Sequence, residues 1–262
     1  KCLQPMILFI FEGNKREPQL FSSMQKLFFP KGNEAIICSF GNNIYELYRK
    51  MQEMDGVGDV VSILREKSKD KEDNPFKDVV SSSDFSEIYL FFDYDFHNRN
   101  YTLEELNVRI TSMLSVFDNE TENGKLYINY PMVESIRYTK LLPDSQYWSY
   151  TVSRDSCASF KKISDSFSDY QSLDFICLPS RREPTESELL RCRNNWSLLK
   201  VQNVCKANYI CSGQNCLPDT KESISQRSIF ENQVKKFVNS GKGCHVGILN
   251  AFPLFLYEYF PS

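Results

Sequence analysis

Several features that identify common classes of protein are missing from this sequence. Only two of its 262 residues are histidine, which leaves few bases for a hydrolase built on serine, histidine and aspartate. The sequence contains neither a Gly-x4-Gly-Lys-Ser/Thr loop nor a Gly-x-Ser-x-Gly elbow, so we expect no ATP hydrolysis by the chain alone. No apolar run approaches the roughly 20 residues of a membrane span, and we expect no membrane partner.

A strong basic charge is also missing. The 31 lysines and arginines are outnumbered by 34 aspartates and glutamates, and the net charge is −3. Dedicated nucleic-acid binders are usually basic overall, so a large nucleic-acid footprint is disfavoured, while a local basic cleft is not. Small basic pairs such as Lys161-Lys162 are candidates for contact with a phosphate backbone, although an ordinary solvated surface is the first interpretation.

The nine cysteines show no regular spacing, and a chain of this length needs no disulfide framework. Cys38 and Cys177 lie in apolar segments, which predicts buried free thiols in a reducing cytosol. The cysteines within 205–216 lack the short Cys-x2-Cys spacing of structural zinc sites, so free thiols are favoured over zinc. The first apolar run, Met6–Phe11, is too short for a signal peptide, and we predict a cytoplasmic protein.

Short apolar runs alternate with helical patterns in the first half of the chain. Strands buried on both faces are predicted for four runs, Met6–Phe11, Ala35–Phe40, Ile88–Phe92 and Leu126–Asn129. Helical spacing of apolar residues follows the first two runs, as at Asn43–Met54. A capping-box pattern from Thr102 to Glu105 predicts a helix start after the third run, and a helix carrying Glu134 is predicted after Pro131. This alternation predicts an α/β fold with a mainly parallel sheet flanked by helices.

The pattern of apolar residues changes after about residue 150, where strand-like runs become rare. Helices are predicted over Leu189–Ile210, Ser223–Val238 and Val246–Tyr259. We therefore predict a catalytic α/β domain over residues 1–150 and a mostly helical C-terminal subdomain over residues 151–262. For the last apolar segment, core packing is the first interpretation and the interface of a homo-oligomer is the second.

Acidic residues follow two of the predicted strands. Glu12 comes directly after the first strand and precedes Gly13, whereas Asp93 and Asp95 follow the third. Sites in open α/β sheets lie beyond the carboxyl ends of the strands. Residues two apart in an extended strand point to the same face. The two aspartates should therefore share a face, and His97 should join them if the extended conformation continues.

Three carboxylates at one place repel one another and are stable mainly when a cation neutralises them. Oxygen ligands with open positions suit Mg²⁺ or Mn²⁺. Such an ion can activate water and stabilise charge on a phosphate. For any single acid, capping of a loop or helix is the simpler interpretation, but the two motifs together favour a metal site.

This arrangement resembles the Toprim domain, which topoisomerases, primases and several nucleases share. Its signature is a glutamate after the first strand, usually followed by glycine, and a distant Asp-x-Asp after a later strand. Glu12-Gly13 and Asp93-Tyr94-Asp95 match this signature. The resemblance covers roughly residues 6–142 and implies a Toprim-like (Rossmann-like) sheet.

The likeness extends to the RloB-like bacterial Toprim proteins. Their Glu-Gly-x-Lys-Thr-Glu-Pro motif is similar to Glu12–Pro18, with Arg16 in place of threonine. Their Asp-x-Asp-x-His motif is matched by Asp93–His97. A later Asn-Pro-x-Phe-Glu segment looks like Asn129–Glu134, although this chain has one extra residue there and lacks the phenylalanine.

By this resemblance, a divalent ion, Mg²⁺ or Mn²⁺, is the expected cofactor. Glu12 would be a metal ligand or a general acid/base, and Asp93 and Asp95 would be metal ligands. Glu134 would complete or flank the site.

Three neighbouring side chains have weaker assignments. Lys15 is a candidate for offsetting charge on a transferring phosphate, and an exposed lysine at a helix start is an equal alternative. Glu17 either touches the metal site or only favours the first helical turn through the macrodipole. His97 is a candidate for proton transfer or for a supporting hydrogen bond.

The resemblance implies an endonuclease that cleaves DNA or RNA, with tRNA among the candidate substrates. Stand-alone bacterial Toprim proteins of this kind are often effectors of anti-phage defence, controlled by a partner ATPase. The missing ATPase loop is consistent with an ATPase supplied by another chain. One alternative is a non-catalytic regulatory or binding module with a structural acidic site. Nucleotidyl transfer of the primase type ranks last, because no zinc-binding primase module is recognisable.

Overall fold

A five-stranded sheet organises the chain. The computed structural model describes residues 6–30, 35–54, 59–70, 72, 74–170, 172–239 and 244–260. The strands of the sheet are β1 (Ile7–Phe11), β2 (Ala35–Ser39), β3 (Glu87–Asp93), β4 (Asp118–Asn119) and β5 (Gly124–Asn129). Their spatial order is β2-β1-β3-β5-β4. All neighbours are parallel except β4, which runs antiparallel along β5. The predicted α/β class with a mainly parallel sheet is confirmed.

Helices flank this sheet and continue through the later part of the chain. They are α1 (Arg16–Phe28), α2 (Ile44–Glu53), α3 (Val60–Ser68), α4 (Leu103–Val116), α5 (Arg154–Cys157), α6 (Phe160–Phe167), α7 (Glu186–Ser212), α8 (Gln226–Gln233) and α9 (Ala251–Tyr259). Two short strands, β6 (Thr151–Ser153) and β7 (His245–Gly247), pair antiparallel with each other. Within the described segments, every helix is too short or too polar to span a bilayer.

Local capping explains where several helices begin. The capping box of Thr102 and Glu105 starts α4, and that of Thr185 and Glu188 starts α7. In each box the hydroxyl accepts a backbone N–H that the helix leaves unpaired, and the glutamate accepts the N–H of the cap residue. At the other end of α7, Gly213 adopts a left-handed φ of 84°, which glycine tolerates without steric cost.

The central strands β1, β3 and β5 are largely buried on both faces, as expected from their continuous apolar runs. The outer strand β2 is only partly buried and exposes Ile37. Alternate residues of β3 illustrate the burial of the central strands: Leu90 and Phe92 belong to one core, and Phe91 belongs to the other. The second core is strongly aromatic. In it, the ring centroids of Phe252 and Phe255 of α9 lie 4.7 and 5.6 Å from that of Phe91. The C-terminal helix therefore packs directly on the central sheet.

Three predicted helices differ from the structure in detail. The helix predicted over Val246–Tyr259 is wrong at its start, because β7 occupies that end and the side chain of Asn250 caps α9 at the Phe252 N–H. Ser223–Val238 is divided into a 3-10 turn, α8 and a π-helical segment. The helix predicted after Pro131 is a 3-10 turn over Val133–Arg137. Apolar periodicity does not distinguish these short alternatives.

The division into residues 1–150 and 151–262 stays a prediction. Elements from the later part of the chain contribute to the cores on both faces of the sheet. In addition, Tyr130 and Leu249 form an isolated antiparallel bridge. The later segment is thus joined to the sheet through packing and backbone hydrogen bonds.

Candidate functional site

The candidate site lies where β1, β3 and β5 end side by side. Glu12 directly follows β1, and its backbone N–H donates to the Phe91 carbonyl at 3.1 Å. Asp93 is the last residue of β3 and lies in register with Asn129, the last residue of β5. Because the three strands are parallel, their carboxyl ends meet at one edge of the sheet. The predicted position of Glu12 and Asp93 at that edge is confirmed.

Hydrogen bonds join these strand ends into one unit. The carboxylate Oε2 of Glu12 accepts the backbone N–H of Asp93 at 3.0 Å. Asn129 Nδ2 donates to Asp93 Oδ1 at 3.0 Å, while Asn129 Oδ1 accepts the Ala251 N–H at 3.0 Å. Asn129 is fully buried, so its amide holds Asp93 in one orientation. Asn129 matches the first residue of the Asn-Pro-x-Phe-Glu segment, but no role was predicted for it from the sequence.

Asp95 reaches the site through a turn. The strand ends at Asp93, and Asp95 has a φ of 50°, which a short acidic side chain tolerates better than most. The Asn98 N–H then donates to the Asp95 carbonyl at 2.8 Å. The extended conformation, which was the condition for His97 to join the two aspartates on one face, therefore does not continue beyond β3. The turn nevertheless brings the Asp95 carboxylate close enough to perturb Glu12 and Asp93.

The pKa values of these acids show the effect of crowding. Burial raises the pKa of Glu12 well above its ordinary value; the Asp95 charge raises it further, and the Asp93 N–H lowers it. Burial also raises the pKa of Asp93, followed by repulsion from Glu12, Glu17 and Asp95. The pKa of Asp95 is raised by burial, although His97 lowers it. Like charges that share a poorly hydrated place favour protonation or a bound cation.

Glu17 belongs to this acidic group. Its side chain is only 5% exposed, and its Oε1 accepts the Gly13 N–H at 3.0 Å. A Cβ at Gly13 would lie 2.7 Å from Glu17 Oε2, so the close approach of this carboxylate requires glycine. Burial raises the pKa of Glu17, against hydrogen bonds from its own and the Gly13 backbone, and Glu134 raises it further. Glu17 lies in the first turn of α1 and its charge also acts on Asp93, so both of its predicted roles stay predictions.

Glu134 flanks the group from the 3-10 turn. Its Oε1 lies 3.4 Å from Arg16 Nε, and its charge acts on Glu17. Lys15, by contrast, is exposed at the N-cap position of α1. Its ammonium forms no salt bridge within the part of the chain that the structure describes. The structure thus places Glu134 beside the acids and leaves Lys15 facing solvent.

His97 carries an unpartnered nitrogen beside the acids. The side chain is half-buried, and its Nδ1 is inaccessible to solvent without a hydrogen-bond partner in the described segments. Its effect on the Asp95 pKa shows that the imidazole is near that carboxylate. A buried polar nitrogen without a partner is unfavourable, so a metal ion, a water or a substrate group would improve its environment.

The potential metal ligands at this site suit a divalent ion in their chemistry but not in their arrangement. Carboxylate oxygens from Glu12, Asp93 and Asp95, together with the His97 nitrogen, are suitable ligands for Mg²⁺ or Mn²⁺. Among the described residues, however, no three His, Cys, Asp or Glu side chains are arranged to hold one ion. Glu12 instead accepts a backbone N–H. The chemistry of the donors fits a hard cation, but their side chains are not preset as a coordination sphere.

No described cysteine belongs to a group of three or more His, Cys, Asp or Glu side chains that could hold a metal ion. Cys38 and Cys177 are buried, as predicted; Cys177 is a free thiol whose pKa burial raises to about 12. Cys205, Cys211 and Cys216 are also free thiols. The preference for free thiols over zinc stays a prediction.

No protein-family model matches the chain, and no curated protein or solved structure matches it. The interpretation of the site therefore depends on its residues. They combine clustered carboxylates, an orienting amide and an unpartnered imidazole at the carboxyl edge of a parallel sheet.

Proposed function

We propose that this protein is a metal-dependent endonuclease of the Toprim type, which hydrolyses phosphodiester bonds in DNA or RNA. The observation that carries the proposal is the acidic group at the carboxyl edge of the sheet. Glu12 and Asp93 are joined by a hydrogen bond, and Asp95 raises the pKa of both. A folded protein keeps such repulsion mainly where a cation or a proton compensates it.

In this proposal, Glu12, Asp93 and Asp95 would hold Mg²⁺ or Mn²⁺, with Glu134 beside them. The bound ion would lower the pKa of a water and neutralise charge on the phosphate. Asn129 fixes one oxygen of Asp93 through its amide. Glu12, whose carboxyl has a raised pKa, is suited to hold a proton and transfer it as a general acid or base.

The two weaker candidates have narrower roles. His97 Nδ1 faces no hydrogen-bond partner in the described segments and is suited to accept or donate a proton beside Asp95. Lys15 is free to swing toward a phosphate because it is exposed, and it would contribute a mobile positive charge.

The biological context of the proposal rests on the sequence resemblance. By that resemblance the protein is the effector of a bacterial anti-phage system in the cytoplasm, and a partner ATPase controls it. Candidate substrates include tRNA. The last apolar segment packs in the core, which was its first interpretation. Self-association into a homo-oligomer is a further proposal.

A cleavage assay tests the proposal directly. Purified protein is incubated with Mg²⁺ or Mn²⁺ and single-stranded DNA, duplex DNA or tRNA. We expect cleavage that EDTA stops and that Glu12→Gln abolishes. Glu104→Gln is the matched control, because Glu104 is an exposed glutamate on α4. Cleavage by Glu12→Gln at the wild-type rate, or no cleavage of any substrate, would make the proposal wrong.

One observation favours a second candidate, a regulatory or binding module with a structural acidic group. The carboxylates of Glu12 and Glu17 already accept backbone N–H groups, and the described residues form no preset metal site. Titration with Mn²⁺ by calorimetry separates the candidates. The module predicts no saturable binding, whereas the nuclease predicts binding that Asp93→Asn weakens.

A further inference from the structure

Arg137 is a buried arginine that the acidic site does not use. It is the last residue of the 3-10 turn and only 2% exposed. Its Nη2 contacts Asp165 Oδ1. Its Nε and Nη1 are inaccessible to solvent and have no hydrogen-bond partner in the described segments. A guanidinium carries five N–H donors in a planar fork. In Arg137, those on Nε and Nη1 are thus left without an acceptor in the described segments.

Further positive charge surrounds the same carboxylate. The Arg137 hydrogen bond lowers the pKa of Asp165, and the charges of Arg137, Arg16 and Lys161 lower it further. The side chain of Asp165 is 50% exposed and lies on α6. The charges of three cations thus act on one half-exposed carboxylate. Lys161 belongs to a basic pair for which the sequence suggested phosphate contact.

This basic group borders the acidic group. Arg16 contacts Glu134 at 3.4 Å as well as influencing Asp165. Glu134 in turn influences Glu17, and Glu17 influences Asp93. A chain of neighbouring charges therefore leads from the basic group to the strand ends. A nucleic acid whose cleaved phosphate lay at the acids would bring a flanking phosphate toward the arginines.

We propose that Arg137, Arg16 and Lys161 form a binding site for a phosphate group, and that Asp165 occupies this site as an internal substitute. A phosphate presents several acceptor oxygens and matches the fork of an arginine in a bidentate manner. It would displace the half-exposed Asp165 carboxylate and pair first with Arg137 Nη2, which that carboxylate now occupies. The identification of this group as a backbone phosphate of nucleic acid rests on the proposed nuclease function.

The simpler interpretation is a structural ion pair that attaches α6 to the 3-10 turn, with water on the remaining donors. The two interpretations differ in the effect of Asp165→Asn. If Asp165 is a substitute for phosphate, its removal frees the site and removes a repulsive charge, so phosphate binds more tightly. If the pair is structural, removal of the carboxylate creates no gain in phosphate affinity.

Calorimetric titration of metal-free protein with inorganic phosphate, in EDTA and at constant ionic strength, measures this difference. We expect Asp165→Asn to bind phosphate about tenfold more tightly than wild type. We expect Arg16→Gln and Lys161→Gln to bind several-fold more weakly. Glu231→Gln is the matched control, because Glu231 forms an exposed pair with Arg227 at 3.3 Å on α8. Equal phosphate affinity of Asp165→Asn and wild type would overturn the proposal.

Arg137→Lys keeps the charge and loses the fork, and we expect it to weaken binding. Because Arg137 is buried, circular dichroism first checks that this variant folds, and Arg16→Gln and Lys161→Gln keep the test valid if it does not. The titration needs no metal and no cleavage. Tighter binding by Asp165→Asn without nuclease activity would therefore support the phosphate site and count against the nuclease. Wild-type cleavage together with an unchanged phosphate affinity of Asp165→Asn would support the nuclease and overturn the phosphate site. A short phosphorothioate oligonucleotide should compete with phosphate, and failure to compete would overturn the nucleic-acid assignment.

Discussion

The two edges of the central sheet both gather carboxylates, but they are neutralised differently. At the amino edge, where the parallel strands begin, Glu120 and Glu258 lie around Lys125. Lys125 Nζ is 3.5 Å from Glu120 Oε2 and also contacts Glu258. Tyr127 donates its hydroxyl to Glu258 Oε2 at 2.6 Å, and Tyr89 donates to Glu87 at 3.2 Å. At the carboxyl edge, the described segments supply no lysine or arginine that forms a salt bridge with Glu12, Asp93 or Asp95.

This contrast separates a structural charge cluster from one suited to an external ligand. Burial lowers the pKa of Lys125, but Glu258 and Glu120 raise it and the net change in its pKa is upward, so the ammonium stays charged and balances its neighbours. The acids at the carboxyl edge instead raise one another's pKa. We infer that the amino edge is complete in itself, whereas the carboxyl edge needs a proton or a cation from outside.

The largest expected effect is on cleavage. Asp93→Asn should reduce the rate of phosphodiester cleavage by about 10² to 10³-fold, because it removes a charge that stabilises the reacting groups. Lys125→Met at the opposite edge should leave the rate per folded molecule unchanged. The measurement is a metal-dependent cleavage rate, normalised to folded protein. A comparable loss in both variants would mean that the two edges do not differ in function.

Asn129 gives a smaller test of positioning. Asn129→Ala should raise the metal concentration needed for half-maximal cleavage by about 10 to 100-fold, because the amide that orients Asp93 is lost. Excess Mn²⁺ should restore much of the rate, which a merely unfolded protein would not allow. Tyr127→Phe is the matched control, since it removes a hydrogen bond to a carboxylate at the other edge. An unchanged metal requirement in Asn129→Ala would contradict its positioning role.

The stability of the metal-free protein should change in opposite directions at the two edges. Asp93→Asn should stabilise it by roughly 1 kcal/mol, because repulsion is relieved while the Asn129 hydrogen bond can remain. Lys125→Met should destabilise it by roughly 1 to 3 kcal/mol, because it leaves half-buried carboxylates without their cation. Urea denaturation in EDTA near pH 7 measures both free energies. If both substitutions changed the free energy of unfolding in the same direction, the proposed difference between the two edges would be wrong.

The free energy of unfolding of the metal-free protein should also depend on pH through the acids at the carboxyl edge, with a smaller effect than the substitutions. The folded pKa values of Glu12 and Asp93 are raised above their ordinary values of 4.5 and 3.8. The folded state therefore binds more protons than the unfolded state, and its stability falls as pH rises from those ordinary values through the raised ones. Denaturation of metal-free protein at several pH values should show this decline in the free energy of unfolding, and Mn²⁺ should reduce it. The same slope in the double variant of Glu12→Gln and Asp93→Asn would contradict this origin.

Local patterns were sufficient to predict much of the fold. The continuous apolar runs Ile7–Phe11 and Ile88–Phe92 are strands, and both of their faces are buried. The capping box of Thr102 and Glu105 begins a helix as predicted, since the side chains that satisfy the first turn lie within that turn. Such signals act over a few residues and are readable without the rest of the chain.

Strand length and apolar content are local properties, so they were enough to predict that Glu12 and Asp93 end buried strands. What surrounds these two acids depends on how distant segments pack. Asn129 meets the Ala251 N–H across 122 residues of chain, and Arg137 meets Asp165. No local pattern encodes such partners. A buried polar group depends on whichever distant group shares its environment, and that environment exists only after the strands and helices have packed.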